Sequence, residues 1–91
     1  MKLIYCRRCH DVFKLTQQLR SCQCGMSKGM YADEIHAQYT GEFAVPLGFA
    51  NQSLVDAVRQ QPQKDTEDRK GGVRFEAFVI PVICGTMERL S

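Results

Sequence analysis

Four of the five cysteines in this 91-residue chain lie within its first 24 residues, and their spacing restricts the fold more than any other feature. They are Cys6, Cys9, Cys22 and Cys24, spaced C-x2-C-x12-C-x-C. Zinc accepts four thiolates in a tetrahedron with Zn–S distances of about 2.3 Å. The chain must fold back to bring the two pairs onto one ion, and twelve residues suffice for a two-stranded hairpin. We therefore expect short strands at residues 11–15 and 18–21.

The first pair belongs to the segment CRRCH, which is also the attachment signature of a c-type haem. Haem attachment would leave Cys22 and Cys24 without a role. The first residues also lack the apolar stretch of about 7 to 15 residues that a secretory signal needs. We therefore expect a reducing, cytoplasmic setting, in which cysteine clusters bind metal more often than they form disulfides. The sequence favours a four-cysteine metal site over haem.

The second pair needs a tight turn. In a regular strand, residues two apart sit roughly 6 to 7 Å from each other, which is too far to share one ion comfortably. Cys22 and Cys24 must therefore lie on a turn, and Gly25 supplies the backbone freedom that such a turn requires.

Residues 6–25 resemble a zinc ribbon, the family in which two cysteine knuckles at hairpin ends hold a structural zinc. The usual knuckle reads C-x-x-C-G. Here His10 stands where glycine is common, and the second knuckle, CQCG, is one residue shorter. The resemblance implies a structural Zn²⁺ held by the four cysteines, with rubredoxin-like iron as the alternative. More loosely, the continuation through GMSKGMY is similar to short uncharacterised proteins of bacteria and their phages, which imply no activity.

The length predicts one domain over residues 1–91, with the zinc ribbon at 1–31 and the remainder at 32–91. A chain this short has a thin core and often needs a staple such as a structural metal. Ser53 and Asp56 predict the start of a short helix at 52–60, and the polar residues 60–72 predict a loop. Residues 73–80 alternate as a strand does. Pro46 in FAVPLGFA (43–50) implies a bent strand at an edge or a bulge. The expected class is α+β: the ribbon joined to a small antiparallel sheet with one short helix.

Three further residues have chemistry of their own but no clear pattern. His10 can replace a cysteine as ligand, although a surface or supporting role is the simpler interpretation. Cys84 lies in the apolar run VIPVICG, which favours a buried core cysteine over a reactive thiol or an extra ligand. His36 has no partner that the sequence identifies.

The sequence favours a protein that is not an enzyme. Four cysteines close the zinc shell, whereas a catalytic zinc keeps one position open for water. The deaminase pattern fails because the glutamate is missing from His36-Ala37-Gln38 and because this segment follows the cysteines. Nucleophile-elbow, phosphate-loop and H-E-x-x-H motifs are also missing.

Two classes of binding protein fit the charge distribution. Residues 1–31 carry a net charge of +5 and residues 32–91 a net charge of −3. Candidate contacts to a protein or nucleic acid are Arg7, Arg8, Lys14, Arg20 and Lys28. Four thiolates and one Zn²⁺ together carry −2, which cancels the formal +2 of the chain and weakens phosphate-driven binding. We therefore expect a protein or nucleoprotein partner, as for a phage-type inhibitor or adaptor. A nucleic-acid-binding ribbon in transcription or DNA/RNA recognition is the alternative, and no membrane association is expected.

Overall fold

The computed structural model of the protein describes residues 1–67 and 71–90. Eight strands and one helix lie in these two ranges. They are β1 (Lys2–Cys6), β2 (Val12–Lys14), β3 (Arg20–Ser21), β4 (Lys28–Tyr31), β5 (Ala37–Thr40), β6 (Ala44–Phe49), α1 (Asn51–Glu67), β7 (Ala77–Val79) and β8 (Met87–Arg89). No helix in the described ranges combines the length and the apolar character needed to cross a bilayer.

The strands form two four-stranded sheets. The first has the order β2-β1-β6-β7 and is antiparallel throughout. The second has the order β3-β4-β5-β8, and its last pair, β5 with β8, is parallel. The α+β class is therefore confirmed, with two sheets in place of a ribbon and one small antiparallel sheet.

Both sheets contribute to a single apolar core. Ile4 on β1 and Tyr39 on β5 are buried, and Leu15 fills the space beside them with 1% of its surface exposed. Other members of the core cluster are Cys6, Phe13, Cys22, Ala37, Ala44, Ile80 and Met87. Cys6 and Cys22 thus belong to the core, so these two cysteines are continuous with the hydrophobic packing.

The prediction that the two strands between the cysteine pairs form one hairpin with each other is wrong. β2 pairs with β1, and β3 pairs with β4, so the two predicted strands lie in different sheets. Each cysteine pair instead forms the turn of its own hairpin. This arrangement fits the zinc-ribbon expectation of one knuckle at each hairpin end.

The strand at FAVPLGFA is central, so the expected edge position is wrong. β6 pairs with β1 on one side and with β7 on the other. Pro46 turns its carbonyl toward the β7 side, where the amide of Ile80 donates to it at 2.9 Å. β7 pairs with residues 47–49 of β6 and ends before Pro46. The missing N–H of Pro46 therefore lies beyond the end of β7. The proline therefore leaves the β1–β6 pairing intact.

The helix is longer than predicted and begins earlier. α1 runs from Asn51 to Glu67, so the loop expected at 60–72 is wrong over residues 60–67, and residues 68–70 lie outside the described ranges. The amide side chain of Gln52 donates to Asp56 at 2.8 Å, and Gln61 donates to Asp65 in the same way. Pairs four residues apart stabilise a helix surface without any apolar stripe.

The strand expected at 73–80 is limited to Ala77–Val79. Two of the backbone amides before it bond to helix side chains. Val73 donates to the side-chain oxygen of Gln61, and Glu76 donates to the hydroxyl of Ser53, both at 2.7 Å. Ser53 therefore does not cap α1, as the sequence suggested, but holds the returning chain against its first turn.

Candidate metal centre

The fold brings all four predicted ligands together. The sulfurs of Cys6, Cys9, Cys22 and Cys24, which we call the four-cysteine cluster, all lie within 4.8 Å of one another. The Cys6–Cys24 sulfur distance is 3.8 Å and the Cys22–Cys24 distance is 3.4 Å. A tetrahedron with metal–sulfur bonds of about 2.3 Å has sulfur–sulfur edges of about 3.8 Å, whereas a disulfide bond measures about 2.05 Å. The spacing fits a metal ion and excludes a disulfide in this structure.

The first knuckle, residues 6–11, is a turn closed by two backbone hydrogen bonds. The amide of Cys6 donates to the carbonyl of Asp11 at 2.9 Å, and the amide of His10 donates to the carbonyl of Cys6 at 2.8 Å. His10 has a φ of 62°, in the left-handed region where glycine is common. Its ring nitrogen Nδ1 lies 2.6 Å from the Tyr5 hydroxyl. His10 therefore occupies the glycine position of the knuckle and bonds to Tyr5, while the four sulfurs form the site.

The second knuckle, residues 22–27, repeats this design in a shorter form. The amide of Cys22 donates to the carbonyl of Ser27 at 2.9 Å, which is the same closure over five residues. The inner bond runs from the amide of Gly25 to the carbonyl of Cys22 at 3.1 Å, one residue earlier than in the first knuckle. Gly25 has a φ of 79°. The missing residue is thus absorbed inside the turn, and the closing bond is unchanged.

Direct hydrogen bonds connect the knuckles to each other and to the sulfurs. The amide of Gln23 donates to the carboxylate of Asp11 at 3.0 Å, from the second knuckle to the first. The amide of Ser27 donates to the sulfur of Cys22 at 3.3 Å. Amide–sulfur bonds stabilise thiolates, because they satisfy the negative charge with fixed donors.

The thiols of Cys6 and Cys24 differ in acidity because their surroundings differ. Interaction with the Ser27 hydroxyl, aided by the amides of Cys9 and Arg8, lowers the pKa of Cys6 to about 6. The amide of Met26 lowers the pKa of Cys24, but burial and the neighbouring thiols outweigh it and raise that pKa to about 11. Once one sulfur is ionised, its negative charge opposes ionisation of the sulfurs beside it. A divalent cation removes the conflict, so the donor set fits a metal such as zinc.

Sequence reasoning missed Asp11 and Ser27. Each is the fifth residue after the first cysteine of its knuckle, and each closes its knuckle through its backbone carbonyl. The equal spacing of Cys6–Asp11 and Cys22–Ser27 is the signal that could have identified them.

The predicted basic contact residues are all exposed, but they differ in how they are held. The guanidinium of Arg7 donates to the carbonyl of Glu42 at 2.8 Å and lies over the Phe43 ring. Arg20 donates to the carbonyl of Lys14 at 2.9 Å, which places these two residues together. The other members of this set are Arg8 in the first knuckle and Lys28 on β4.

Cys84 and His36 lie outside the cluster. Cys84 is partly buried and packs against the core, so it is less buried than expected. Its sulfur lies 3.5 Å from the Thr86 hydroxyl, and that contact lowers its pKa. The Nδ1 of His36 lies 2.9 Å from Asp33, which is the partner that the sequence did not identify.

Comparison of the chain with family models, curated proteins and solved structures gives no match. The four-cysteine cluster is consistent with a zinc-ribbon-like site. The similarity to short phage proteins has no support from these comparisons.

Proposed function

We propose that the protein is a small, non-enzymatic zinc module in which one structural Zn²⁺ joins two β-hairpins, and that it binds a larger protein partner. The observation that carries the zinc assignment is the approach of four sulfurs to within 4.8 Å of one another. Four cysteines around a tetrahedral ion are typical of structural zinc. Tetrahedral sulfur sites also suit iron, so the test separates the two metals.

The metal's role follows from the topology. Cys6 ends β1 in the first sheet, and Cys22 directly follows β3 in the second. One ion bound to both knuckles therefore joins the two sheets. Structural zinc contributes about 10 to 16 kcal/mol of apparent binding free energy in finger peptides, which is comparable with the whole stability of a domain, about 5 to 15 kcal/mol. A closed four-thiolate shell has no open position for water, which supports a structural rather than a catalytic metal.

The metal assignment is tested on protein purified without chelator, by native mass spectrometry and elemental analysis. We expect one zinc per chain and four deprotonated cysteines. Cys9→Ser should lose the ion, and Cys84→Ser, the matched control outside the cluster, should keep it. Stoichiometric iron with visible absorption would instead identify the bound metal as iron. A cooperatively folded chain without any metal would refute the proposed centre.

Protein binding is supported by an exposed apolar segment at the end of the first sheet. Val82 and Ile83 are 85% and 94% exposed, and Val79 on β7 is 63% exposed. β7 is also an edge strand, with β6 on one side only. Contiguous exposed apolar side chains are typical of contact surfaces, and a free strand edge accepts a partner strand. The proposed contact surface is therefore residues 77–83. Through this surface the protein binds a larger protein and acts as its inhibitor or as an adaptor.

The contact surface is tested with charge-introducing variants. Ile83→Asp should abolish capture of the partner protein, whereas Ile35→Asp, at an exposed isoleucine in another loop, should retain it. Capture should then be reproduced with the purified partner. Equal capture by both variants would show that residues 77–83 are not the contact surface.

A nucleic-acid role has one observation in its favour. The exposed side chains of Arg8, Lys14 and Lys28 form no ion pair with an acidic group within residues 1–67 and 71–90. Unneutralised basic groups around a ribbon can contact phosphates. A gel shift at two salt concentrations tests this role: Arg8→Ala and Lys28→Ala should weaken a shift that exists at low salt. No shift at low salt would remove this alternative.

A further inference from the structure

The hydroxyl group of Ser27 has no hydrogen-bond partner among the described residues. Its residue surface is completely buried. Its backbone is fully used, because the amide donates to the sulfur of Cys22 and the carbonyl accepts from the amide of Cys22. Its Oγ, however, has no hydrogen-bond partner with good geometry, and it is the one buried side-chain oxygen or nitrogen of which this is true in the described ranges. An unsatisfied buried hydroxyl destabilises a fold, so its presence needs a reason.

The surroundings of this hydroxyl suggest the reason. It belongs to the second knuckle, where the Ser27 amide already donates to the sulfur of Cys22, and the sulfur of Cys6 lies within 4.8 Å of that same sulfur. A neutral thiol is a weak acceptor, whereas a thiolate is a strong one, since hydrogen bonds to a charged group are shorter and stronger. Cys6 is itself fully buried, so water does not compete for its sulfur.

We propose that the Ser27 hydroxyl donates a hydrogen bond to the metal-bound thiolate of Cys6 and thereby acts as a positioning residue for the metal. The inference rests on the proposed metal centre. This bond pairs a buried hydroxyl that otherwise has no partner, so it stabilises the two knuckles in the geometry that holds the metal. It also adds a link between the knuckles beside that of Asp11 and Gln23.

The test compares Ser27→Ala with wild type by titration of Co²⁺ and by Zn²⁺ competition against a chromophoric chelator. Loss of a partner that supports a ligand typically weakens metal affinity 10- to 100-fold, and we expect a loss in that range. The thiolate-to-Co²⁺ charge-transfer band should move to lower energy, because the Cys6 sulfur loses a stabilising donor. A purely structural role for Ser27 would leave this band in place. Ser21→Ala, at an exposed hydroxyl on β3, is the matched control and should change neither readout.

A second measurement uses the wild-type protein, so it does not depend on how the variant folds. In protein loaded with ¹¹³Cd²⁺, the Ser27 hydroxyl proton should exchange slowly with water and show scalar coupling to the metal through the Cys6 sulfur. A wild-type chain that binds none of these ions overturns the proposed metal centre itself. A chain that binds them with an unshifted Ser27→Ala band, affinity within twofold of wild type, and no coupled hydroxyl proton overturns only the role of Ser27.

Discussion

Gly25 and Gly41 both lie near the four-cysteine cluster. Substitution of Gly41, the more distant of the two along the chain, should destabilise the protein more than substitution of Gly25. Gly25 directly follows Cys24, but a Cβ added there would meet no atom within 4 Å. Gly41 is sixteen residues further along, yet its added Cβ would lie 2.3 Å from the backbone oxygen of Met26 and 3.0 Å from the Cα of Ser27. Gly41 therefore packs directly against the second knuckle.

The expected magnitudes follow from these contacts. Both residues have a positive φ, 79° at Gly25 and 123° at Gly41. A left-handed conformation costs a non-glycine residue about 1–2 kcal/mol, and alanine recovers about 0.4–1 kcal/mol through the unfolded chain. Gly25→Ala should therefore destabilise by about 1 kcal/mol. In Gly41→Ala the new methyl group must also displace the backbone of the second knuckle. Overpacking of this kind typically costs about 1–3 kcal/mol more. We expect a total loss of about 2–4 kcal/mol.

The assay is urea unfolding of the zinc-loaded variants, followed by zinc competition against a chelator. Only Gly41→Ala should also weaken zinc binding clearly, because its methyl group displaces the backbone at Met26 and Ser27. Gly72→Ala is the control: its Cβ has open space and its φ is not positive, so stability should stay within about 0.5 kcal/mol of wild type. If Gly25→Ala proved as damaging as Gly41→Ala, the close approach of Gly41 to the knuckle would be refuted.

Three further outcomes are expected. Removal of the metal by a strong chelator should abolish hydrogen-exchange protection in both knuckles, and protection that survived would mean that the metal does not hold them. Ile4→Ala, at a fully buried site, should cost about 2–5 kcal/mol in urea unfolding, whereas Ile35→Ala, 59% exposed, should cost less than about 0.5 kcal/mol. The amides of His36 and Ile35 lower the pKa of Asp33 below 3.8, so its stabilising contribution is present above pH 3.8 and disappears as the pH falls through the lowered value. An NMR titration that placed this pKa at or above 3.8 would contradict the hydrogen bonds.

The grouping of the four cysteines and the fold class could be predicted because they depend on local patterns. The spacing of the cysteines implies two turns within 20 residues, and Gly25 marks one of them. The α+β class followed from one helical stretch among short strand-like runs. His10 stands at the position of a knuckle glycine, and its positive φ explains why glycine is common there.

Strand partners and the end of the helix could not be predicted in this way. β1 pairs with β6, about forty residues away, and neither strand carries a pattern that identifies the other. Residues 60–67 have no apolar stripe, so the helix there depends on side-chain pairs such as Gln61 with Asp65 and on the returning chain at Val73. The alternation at 73–80 predicts a strand over the whole segment, but β6 ends at Phe49 and leaves no strand for residues 73–76 to pair with. The amide of Glu76 donates to Ser53 instead.

If the four-cysteine cluster holds a metal, as we propose, the two knuckles give that metal a specific place in the order of assembly. Each knuckle is a local turn within one hairpin, so each can form without the other. The two hairpins belong to different sheets, however, and the sheets must come together before all four sulfurs meet. An ion that binds one knuckle first turns the encounter with the second into an intramolecular step, in which the closed loop is short and its entropic cost is small. Binding of the proposed metal would therefore favour docking of the two sheets, and the buried core formed between them would in turn fix the geometry of the site.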